Sequence, residues 1–537
     1  MPQMTGGEAL VASLRAHGLE VIFGLPGVQL DWAFNALYDA QDDITVYHTR
    51  HEQATSYMAD GYARVTGKVG ACLVVPGPGL LNAGAGLSTA YACSSPVLCI
   101  AGQINSKNIE AGRGDLHEIP HQLEMIRSVT KWAGRAMAPE EVPGLVVEAF
   151  RQLRSGRPRP VEIEIPPDVL RATADVTIPA PAEVHAPEGD PDLLEQAAKA
   201  LGNARSPLIY AGGGILVGGA WDELKALAEL LEAPVVMTGE GKGALSDRHY
   251  LAQNGVAGGK LLREADVILA VGTRFYMPYS PWRLGEEQTL IQLDVDPEEV
   301  GRNTTPHIGI VADARKGLAA LAERAARHNR SRPSRKDELT ALKEGIEDRL
   351  FEVQPQASLG LAVRETLPDD GVIIGGMTQV GYWSWAGMPI YEPRTWISAG
   401  YQGTLGFEYA TALGAQIGAP GRKVVALCGD GGFMYNVQEL STAARFNIPV
   451  VAVVFNDGAF GNVRRMQKQD YGGKLIASDL HNPDFVLLAQ SFGIEGRRAN
   501  GAEELKRALT EAFADNRPYL IEVPVGEMPD MWNLLMG

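Results

Sequence analysis

The sequence predicts an α/β protein with three doubly wound parallel-sheet domains. Short apolar runs of strand length alternate with amphipathic helical patterns along the whole chain, as in parallel sheets that are covered by helices on both faces. The 537 residues are enough for about three or four domains of ordinary size. The 61 glycines cluster just after the apolar runs, where a strand turns into a helix.

The predicted buried strands share a high content of Val, Ile and Leu and the length of an ordinary strand. They are residues 69–75, 96–102, 161–166, 207–213, 266–272, 289–296, 423–429, 449–455 and 519–525. Residues 1–21 lack the charged-then-apolar pattern of a signal peptide, and we expect there an amphipathic helix that belongs to the fold.

Two stretches interrupt the alternation of strands and helices. Residues 166–192 are rich in Pro, Ala and acidic residues, and residues 325–356 are a charged, helix-like stretch. We interpret both as linkers. They divide the chain into predicted domains at 1–170, 190–325 and 355–537.

Charge and cysteine content exclude several classes of protein. The formal net charge of −17 disfavours a nucleic-acid partner. No apolar run approaches the roughly 18 residues of a membrane span, so we expect no membrane association and a cytoplasmic location. The four cysteines have apolar or small neighbours and no CxxC pair, which predicts reduced core thiols rather than disulfides or zinc sites.

The strongest local signal is a pair of polar turns after two neighbouring predicted strands. The first strand runs into the sequence GDGG at 429–432, and the second runs into NDG at 456–458. Parallel strands deliver such residues to one edge of the sheet, where Asp430 and Asn456 offer the oxygen ligands that suit Mg²⁺. The glycines allow a diphosphate to approach a helix N-terminus. The alternative is a tight turn with solvated polar side chains.

These motifs resemble the thiamine-diphosphate-dependent family of acetolactate synthase, pyruvate decarboxylase and benzaldehyde lyase, which carries GDG and, further on, an Asn-containing strand end. The resemblance covers nearly all of the chain and implies three domains of the thiamine-diphosphate-binding type: pyrimidine-binding, central and diphosphate-binding. Its further segments are FGLPG (23–27), TRHEQATSYMADGYARVTG (49–67), VVPGPGLLNA (74–83), PVLCIAGQ (96–103), VTKWAGRAMAPEEVPGLV (129–146), PVEIEIP (160–166), VGTRF (271–275), QLDVDPEEVGRN (292–303) and GYQGTLGF (400–407).

The resemblance also implies a binding site for thiamine diphosphate and Mg²⁺. The residues that match metal ligands are Asp430, Asn456 and, through its carbonyl, Gly458. Those that match diphosphate contacts are Thr378, Gln379, Gly429, Gly431 and Gly432. Leu405 matches the apolar residue that wedges between the two rings of the cofactor, and Gly403 matches the carbonyl contact to its 4′-amino group.

Glu52 matches the family glutamate that hydrogen-bonds N1′ of the aminopyrimidine. A carboxyl group held against an aromatic ring can share a proton with it, whereas a glutamate at a helix start can also serve merely as a cap. Glu52 lies in the first domain and the metal motif in the third. In the family these come from different subunits, so the resemblance implies a homodimer or homotetramer.

Three residues are predicted to act on the substrate. Gln29 follows FGLPG, where enzymes similar to benzaldehyde lyase carry a histidine. His117 matches an active-site glutamine of the family and is our first candidate for acid–base work, with a structural role as the alternative; His121 and Gln122 come next. Asn462 replaces a methionine of the synthases and can hydrogen-bond a carbonyl or hydroxyl group.

Two departures from acetolactate synthase bear on the substrate. Pro167 replaces a lysine, and RFYMP at 274–278 replaces RFDDR, so partners for the carboxylate of a second keto acid are missing. We therefore predict a thiamine-diphosphate- and Mg²⁺-dependent lyase or carboligase, acetolactate synthase-like, for 2-keto acids or acyloins. The alternatives are a cyclic 1,2-dione hydrolase or a 2-keto acid decarboxylase of this family, a nucleotide-dependent dehydrogenase, and a silent cofactor-binding scaffold.

A second cofactor is an alternative for the middle domain. Residues 210–227 read as a strand, a Gly-rich turn and a helix, which is the pattern of a dinucleotide site or of a closely packed turn. Related synthases hold a non-redox FAD there. The candidate contacts are Gly212, Gly213, Arg274 and Asp294.

Overall fold

The computed structural model describes residues 2–277 and 282–531. Pro278, the last residue of RFYMP, lies outside the described residues. The described chain contains three six-stranded sheets and one two-stranded ribbon. Every pairing within the three large sheets is parallel, which confirms the predicted α/β class.

The first sheet belongs to the N-terminal third of the chain. Its elements are β1 (Gln3–Thr5), α1 (Gly6–Ala16), β2 (Val21–Gly24), α2 (Asp31–Asp39), β3 (Thr45–His48), α3 (Glu52–Thr66), β4 (Gly70–Val74), α4 (Pro78–Cys93), β5 (Val97–Gly102), α5 (Gln122–Ile126), β6 (Trp132–Arg135), α6 (Val142–Arg154), β7 (Val161–Ile165), α7 (Pro167–Arg171) and β8 (Thr173–Asp175). The strand order is β3-β2-β4-β5-β7-β6, and β1 pairs with β8 in the antiparallel ribbon.

The second sheet forms the middle of the chain. Its elements are α8 (Pro191–Asn203), β9 (Pro207–Ala211), α9 (Gly214–Gly218), α10 (Trp221–Leu231), β10 (Val235–Met237), β11 (Ala252–Gln253), α11 (Gly255–Glu264), β12 (Val267–Val271), β13 (Thr289–Asp294), β14 (Ile308–Val311), α12 (Ala314–Ala325) and α13 (Lys336–Phe351). The strand order is β11-β10-β9-β12-β13-β14.

The third sheet forms the C-terminal part. Its elements are α14 (Gln356–Thr366), β15 (Val372–Gly375), α15 (Gln379–Gly387), β16 (Trp396–Ser398), α16 (Phe407–Gly418), β17 (Val424–Gly429), α17 (Asp430–Phe433), α18 (Leu440–Phe446), β18 (Val450–Asn456), α19 (Gly461–Asp470), α20 (Phe485–Ser491), β19 (Glu495–Arg498), α21 (Ala502–Asp515) and β20 (Tyr519–Pro524). The strand order is β16-β15-β17-β18-β20-β19.

Each predicted apolar run contains a strand of the structure, and each of these strands is almost wholly buried. The expectation for residues 1–21 was wrong in extent, because helix α1 occupies only the middle of that stretch, between β1 and the beginning of β2. The first predicted linker was too simple, because it contains α7 and β8. The second contains α13, as its helix-like pattern predicts, and this helix buries Leu339, Ile346 and Leu350.

Helices α3 and α16 join the first domain to the third at close range. A Cβ atom at Gly61 would overlap the carbonyl oxygen of Thr411, and one at Gly414 would overlap that of Met58. The two helices therefore touch backbone to backbone, which only glycine permits. One continuous apolar cluster, with Met58 and Leu413 among its members, runs across this junction.

Two further expectations concern cysteines and membranes. All four cysteines are free thiols, and Cys72, Cys99 and Cys428 are buried, as the sequence predicts, whereas Cys93 is only partly buried. Among the described residues, no helix combines the length and the apolar character needed to cross a membrane.

Candidate active site

A cavity of about 430 Å³ lies at the carboxyl end of the third sheet. It opens where β15, β17 and β18 end, which is where parallel sheets bind their ligands. The structure brings most of the predicted third-domain residues to its wall: Thr378, Gln379, Gly403, Leu405, Gly429, Asp430, Gly431, Gly432 and Asn462.

Asp430 follows β17 directly and is 2% exposed. Its Oδ1 accepts a hydrogen bond from the Gly431 N–H and its Oδ2 accepts one from the Gly458 N–H, both at 2.9 Å. Burial raises the pKa of Asp430, while these N–H donors and Asn482 oppose that rise. Gly458 has a φ of +69°, and its carbonyl accepts from the Leu480 N–H at 2.8 Å. The carboxylate is therefore held rigidly beside the second polar turn.

Asn456 ends β18 next to Asp430. Its Nδ2 donates to Glu522 Oε1 at 2.8 Å, which fixes the direction of its Oδ1. The amide of Asn482 donates to this Oδ1 at 3.0 Å and to Asp430 Oδ2 at 2.6 Å. The two predicted metal-binding oxygens thus both lie within hydrogen-bond distance of one atom, Asn482 Nδ2. Sequence reasoning missed Asn482, because it follows an exposed loop that no motif marks.

The cavity has the features of an anion cradle. Helix α15 begins at Gln379 and has no side-chain cap, so the N–H groups of its first turn remain available. The Oε1 atom of Gln379 is buried without a hydrogen-bond partner, which leaves an acceptor for a cation or a ligand N–H rather than for the anion. A Cβ atom at Gly458 would meet open space, and one at Gly429 would meet nothing nearer than 3.5 Å. The residues present therefore fit a diphosphate with a divalent cation.

Leu405 projects into this cavity. It stands in the loop between β16 and α16, where Gly403 and Gly406 have φ values of +58° and +80°. Leu405 is only partly buried and shares the cavity wall with Tyr382. This placement fits an apolar support for a ligand better than the alternative of a core leucine.

Gln29 and His117 meet at the carboxyl end of the first sheet. Gln29 Nε2 donates to the Leu116 carbonyl at 3.0 Å, and His117 Nδ1 hydrogen-bonds Gln29 Oε1 at 3.1 Å. His117 has a φ of +68°, and its carbonyl lies where a Cβ atom of Gly77 would be. Two of the predicted substrate residues are therefore in direct contact.

Glu52 begins α3 and lies beside the same turn. Its Oε2 accepts a hydrogen bond from Asn82 Nδ2 at 3.0 Å, and its Oε1 would be 3.6 Å from a Cβ atom at Gly79. Gln122 Oε1 accepts from the Gly77 N–H at 2.8 Å. Since Gln122 is buried in this network, it positions the turn. His121 is exposed instead.

Within the described part of one chain, the two groups do not share a cavity. Only residues between Met377 and Met528 line the third-domain cavity. Glu52, Gln29 and His117 belong to the first domain and lie elsewhere.

The predicted contacts of a second cofactor also come together. Gly212, Gly213, Arg274 and Asp294 line one cavity of about 530 Å³ next to the central sheet. Burial raises the pKa of Asp294 to about 6. A Cβ atom at Gly212 would overlap the carbonyl of Gly272, so close packing of the turn accounts for one of these glycines.

Comparisons with known proteins match all three domains. The family described as "Thiamine pyrophosphate enzyme, N-terminal TPP binding domain" matches residues 4–125, its "central domain" matches 194–321, and its "C-terminal TPP binding domain" matches 376–523.

Curated relatives resemble the chain over nearly its full length. The probable acetolactate synthase large subunit of Methanocaldococcus jannaschii is 35% identical over 97% of this chain and 92% of its own. The acetolactate synthase of Arthrospira platensis is 33% identical over 99% and 96%. The probable 2-ketoarginine decarboxylase AruI of Pseudomonas aeruginosa is 34% identical over 97% and 94%.

Proposed function

The chain belongs to the thiamine pyrophosphate enzyme family, and we propose from this premise that it is a carbon–carbon lyase or carboligase of the acetolactate synthase type. Its substrates are 2-keto acids or acyloins. The observation that carries this proposal is the convergence of the Asp430 and Asn456 side-chain oxygens beside a cavity with an uncapped helix N-terminus.

We assign the cofactor contacts from this geometry. Asp430, Asn456 and the Gly458 carbonyl would hold Mg²⁺, which would neutralise the diphosphate. The first turn of α15 would bind the phosphate oxygens, whereas the Gly431 N–H is already engaged by Asp430. Thiamine diphosphate, once bound, supplies an electron sink at the carbonyl carbon of the substrate.

Glu52 holds a proton in this proposal. Its Oε2 is engaged by Asn82, so Oε1 is the atom that faces the aminopyrimidine ring. Because the third-domain cavity contains no first-domain residue, the partner subunit's Glu52 completes each site, in a homodimer or homotetramer. Each chain thus contributes Glu52 to one active site and its third-domain cavity to another.

His117 and Gln29 move and orient protons of the substrate. The bond between His117 Nδ1 and Gln29 leaves Nε2 for a carbonyl or hydroxyl group. In the cavity, Asn462 Oδ1 accepts from Arg465 Nη2 at 3.0 Å, so its NH₂ group is the part that donates to a substrate oxygen. The hydrogen-bonding groups of His117 and Asn462 both suit an uncharged acceptor substrate.

A simple decarboxylase is the second candidate function. The similarity to a probable 2-ketoarginine decarboxylase favours it, because that relative covers nearly the whole chain. The two functions differ in whether a second carbonyl compound is added to the first.

The test is a titration of cofactor-free protein followed by product analysis. Thiamine diphosphate and Mg²⁺ should bind together, and pyruvate, benzoin-type acyloins and cyclic diones are then supplied separately. Acyloin formation from pyruvate, or cleavage of a supplied acyloin, supports the first function. Release of acetaldehyde and CO₂ from pyruvate, with neither acyloin formation nor acyloin cleavage, supports the second. Protein that binds neither cofactor nor cation contradicts both.

A further inference from the structure

A segment that carries no sequence motif closes around the candidate cation site. We call residues 478–482 the clasp segment. The Leu480 N–H donates to the Gly458 carbonyl at 2.8 Å. The Asn482 amide donates to Asp430 Oδ2 and Asn456 Oδ1. One short segment therefore contacts all three proposed cation ligands.

The clasp segment is fastened to the ligand-bearing turn. The Phe460 N–H donates to the Ser478 carbonyl at 2.8 Å, and Ala459 pairs with Asp479 in an antiparallel bridge. Ser478 is buried, whereas residues 471–477, which precede the clasp, are exposed. The clasp is thus the end of an exposed connection that backbone hydrogen bonds attach to the ligand-bearing turn.

The amide of Asn482 sets the spacing between two ligands. Its NH₂ group carries two hydrogens, one for each ligand oxygen. The other atoms of both ligands are already held, since Asp430 Oδ1 accepts from the Gly431 N–H and Asn456 Nδ2 donates to Glu522. Asn456 Oδ1 retains a lone pair for a cation. Asp430 Oδ2 accepts from the Gly458 N–H as well as from Asn482, so the free lone pair of this carboxylate is on Oδ1. A neutral donor draws the two oxygens together without adding charge to the site.

We propose that Asn482 is a positioning residue of the cation site, outside the coordination sphere itself. The inference rests on the proposed function, because the cation is the one that the function requires. Residues that orient metal ligands typically contribute about 10- to 100-fold to metal affinity. Asn482 acts on two ligands together, and the clasp backbone orients the third.

The experiment measures the dissociation constant of Mg²⁺ at saturating thiamine diphosphate. Binding is followed by the fluorescence of Trp383 and Trp385 on α15, so turnover is not the readout. Asn482→Ala should weaken Mg²⁺ about 10- to 100-fold. Asn482→Asp should weaken it at least as much, because a carboxylate donates no hydrogen bond and repels Asp430. The matched control is Asn500→Ala, an exposed amide of the same domain outside the clasp whose Nδ2 donates to Glu504, which should leave the constant unchanged.

The outcomes separate this inference from the function on which it rests. Wild-type protein that binds no Mg²⁺ with the cofactor overturns both. Normal binding by wild type and by Asn482→Ala overturns the positioning role alone. Tighter binding by Asn482→Asp overturns it too, because the residue would then be a ligand. If Asn482→Ala loses its circular dichroism signal, Asn482→Gln replaces it in the experiment. This variant keeps an NH₂ group on a longer side chain and should bind Mg²⁺ more weakly than wild type.

Discussion

The first and third domains are built on the same strand order. Counted along each domain from β2 and from β15, both sheets run second, first, third, fourth, sixth, fifth. The pairing extends the equivalence to single residues. Glu164 lies opposite Arg135, and Glu522 lies opposite Arg498, at matching positions of matching strands. In both domains the arginine and the glutamate form an ion pair.

An amide side chain completes this arrangement in each domain, but with a different outcome. Gln103 follows β5 and donates to Glu164, while its Oε1 accepts from the neighbouring Ile104 N–H at 2.7 Å. Asn456 donates to Glu522 and turns its Oδ1 toward the cation site. In the first domain the amide oxygen of this carboxylate–amide pair is taken up by a neighbouring backbone N–H. In the third domain the amide oxygen is directed toward the proposed cation site. The shared fold sets where these groups lie, and the residue at each strand end decides the chemistry.

The turn after the third strand of each domain shows the same contrast. By strand register, Pro76 in the first domain stands where Asp430 stands in the third. The turn itself therefore has backbone groups but no side-chain carboxylate in the first domain, and the carboxylate beside it is Glu52, from α3. Under the proposed function, this difference leaves the aminopyrimidine to the first domain and the charged diphosphate to the third.

Removing the carboxylate that distinguishes the third domain should have the largest effect. Asp430→Ala deletes a cation ligand and several kcal/mol of charge neutralisation, so we expect a loss of turnover of about 10³-fold. Mg²⁺ binding at saturating thiamine diphosphate should be lost as well. Asp470→Asn, an exposed carboxylate of the same domain, is the control and should behave as wild type. Undiminished turnover in Asp430→Ala would place the cation elsewhere.

The two equivalent glutamates should respond differently to the same substitution. Glu164 is fully buried, so Glu164→Gln breaks a buried ion pair and should cost about 3 kcal/mol of stability. Arg498 is largely exposed, so Glu522→Gln should cost only about 1 kcal/mol. Only Glu522→Gln should weaken Mg²⁺, because Glu522 directs Asn456. Thermal midpoints and Mg²⁺ titrations of both variants check this, and equal Mg²⁺ affinities would break the distinction.

Alanine substitutions on the two sides of the junction between the first and third domains should cost similar amounts of stability. Gly61 meets the backbone of α16 and Gly414 meets that of α3, in reciprocal contacts. Gly61→Ala and Gly414→Ala should each cost about 2 kcal/mol by overpacking, and their effects should not add. Urea midpoints of the single and double variants measure this. Gly421→Ala, where a Cβ atom meets nothing, is the control. Strongly unequal costs would show that the crossing is not reciprocal.

The sequence predicted nine of the twelve inner strands described in the three large sheets, missing β2, β10 and β15, and it singled out the motif residues of the third domain. Strands such as β17 and β18 are apolar because helices cover both of their faces, and that pattern is visible without a structure. Edge strands such as β3 and β19 were not predicted, because their half-exposed polar residues form no continuous apolar run. The contacts made by Asn482 and Glu164 were not predicted for a different reason. They join residues far apart in the chain, and nothing in the neighbouring sequence marks a partner.

The smallest predicted effect concerns a position where the domains differ in sequence. Glu162 stands where the third domain has Leu520, and neither of its carboxylate oxygens has a hydrogen-bond partner among the described residues. Burial, reinforced by Glu164 and opposed by Arg135 and Arg127, holds the pKa of Glu162 well above its usual value. The folded protein therefore keeps this proton at a pH where the unfolded chain has released it.

Glu162→Leu should accordingly stabilise the protein by about 1 kcal/mol near neutral pH. Below a pH of about 4.3 the unfolded chain also binds the proton, so the carboxyl group then costs nothing extra. As pH rises above that value the wild type loses stability relative to the variant, up to the raised pKa of the folded state. The difference between the thermal midpoints of Glu162→Leu and wild type should increase from pH 5 to pH 6.5 and again to pH 8. Glu162→Gln, which removes only the titration, should show the same pH dependence as the leucine variant. Midpoints of wild type and variants that stay parallel would mean that this carboxyl group is ionised in the folded first domain, and that an unseen cation or solvent compensates for it.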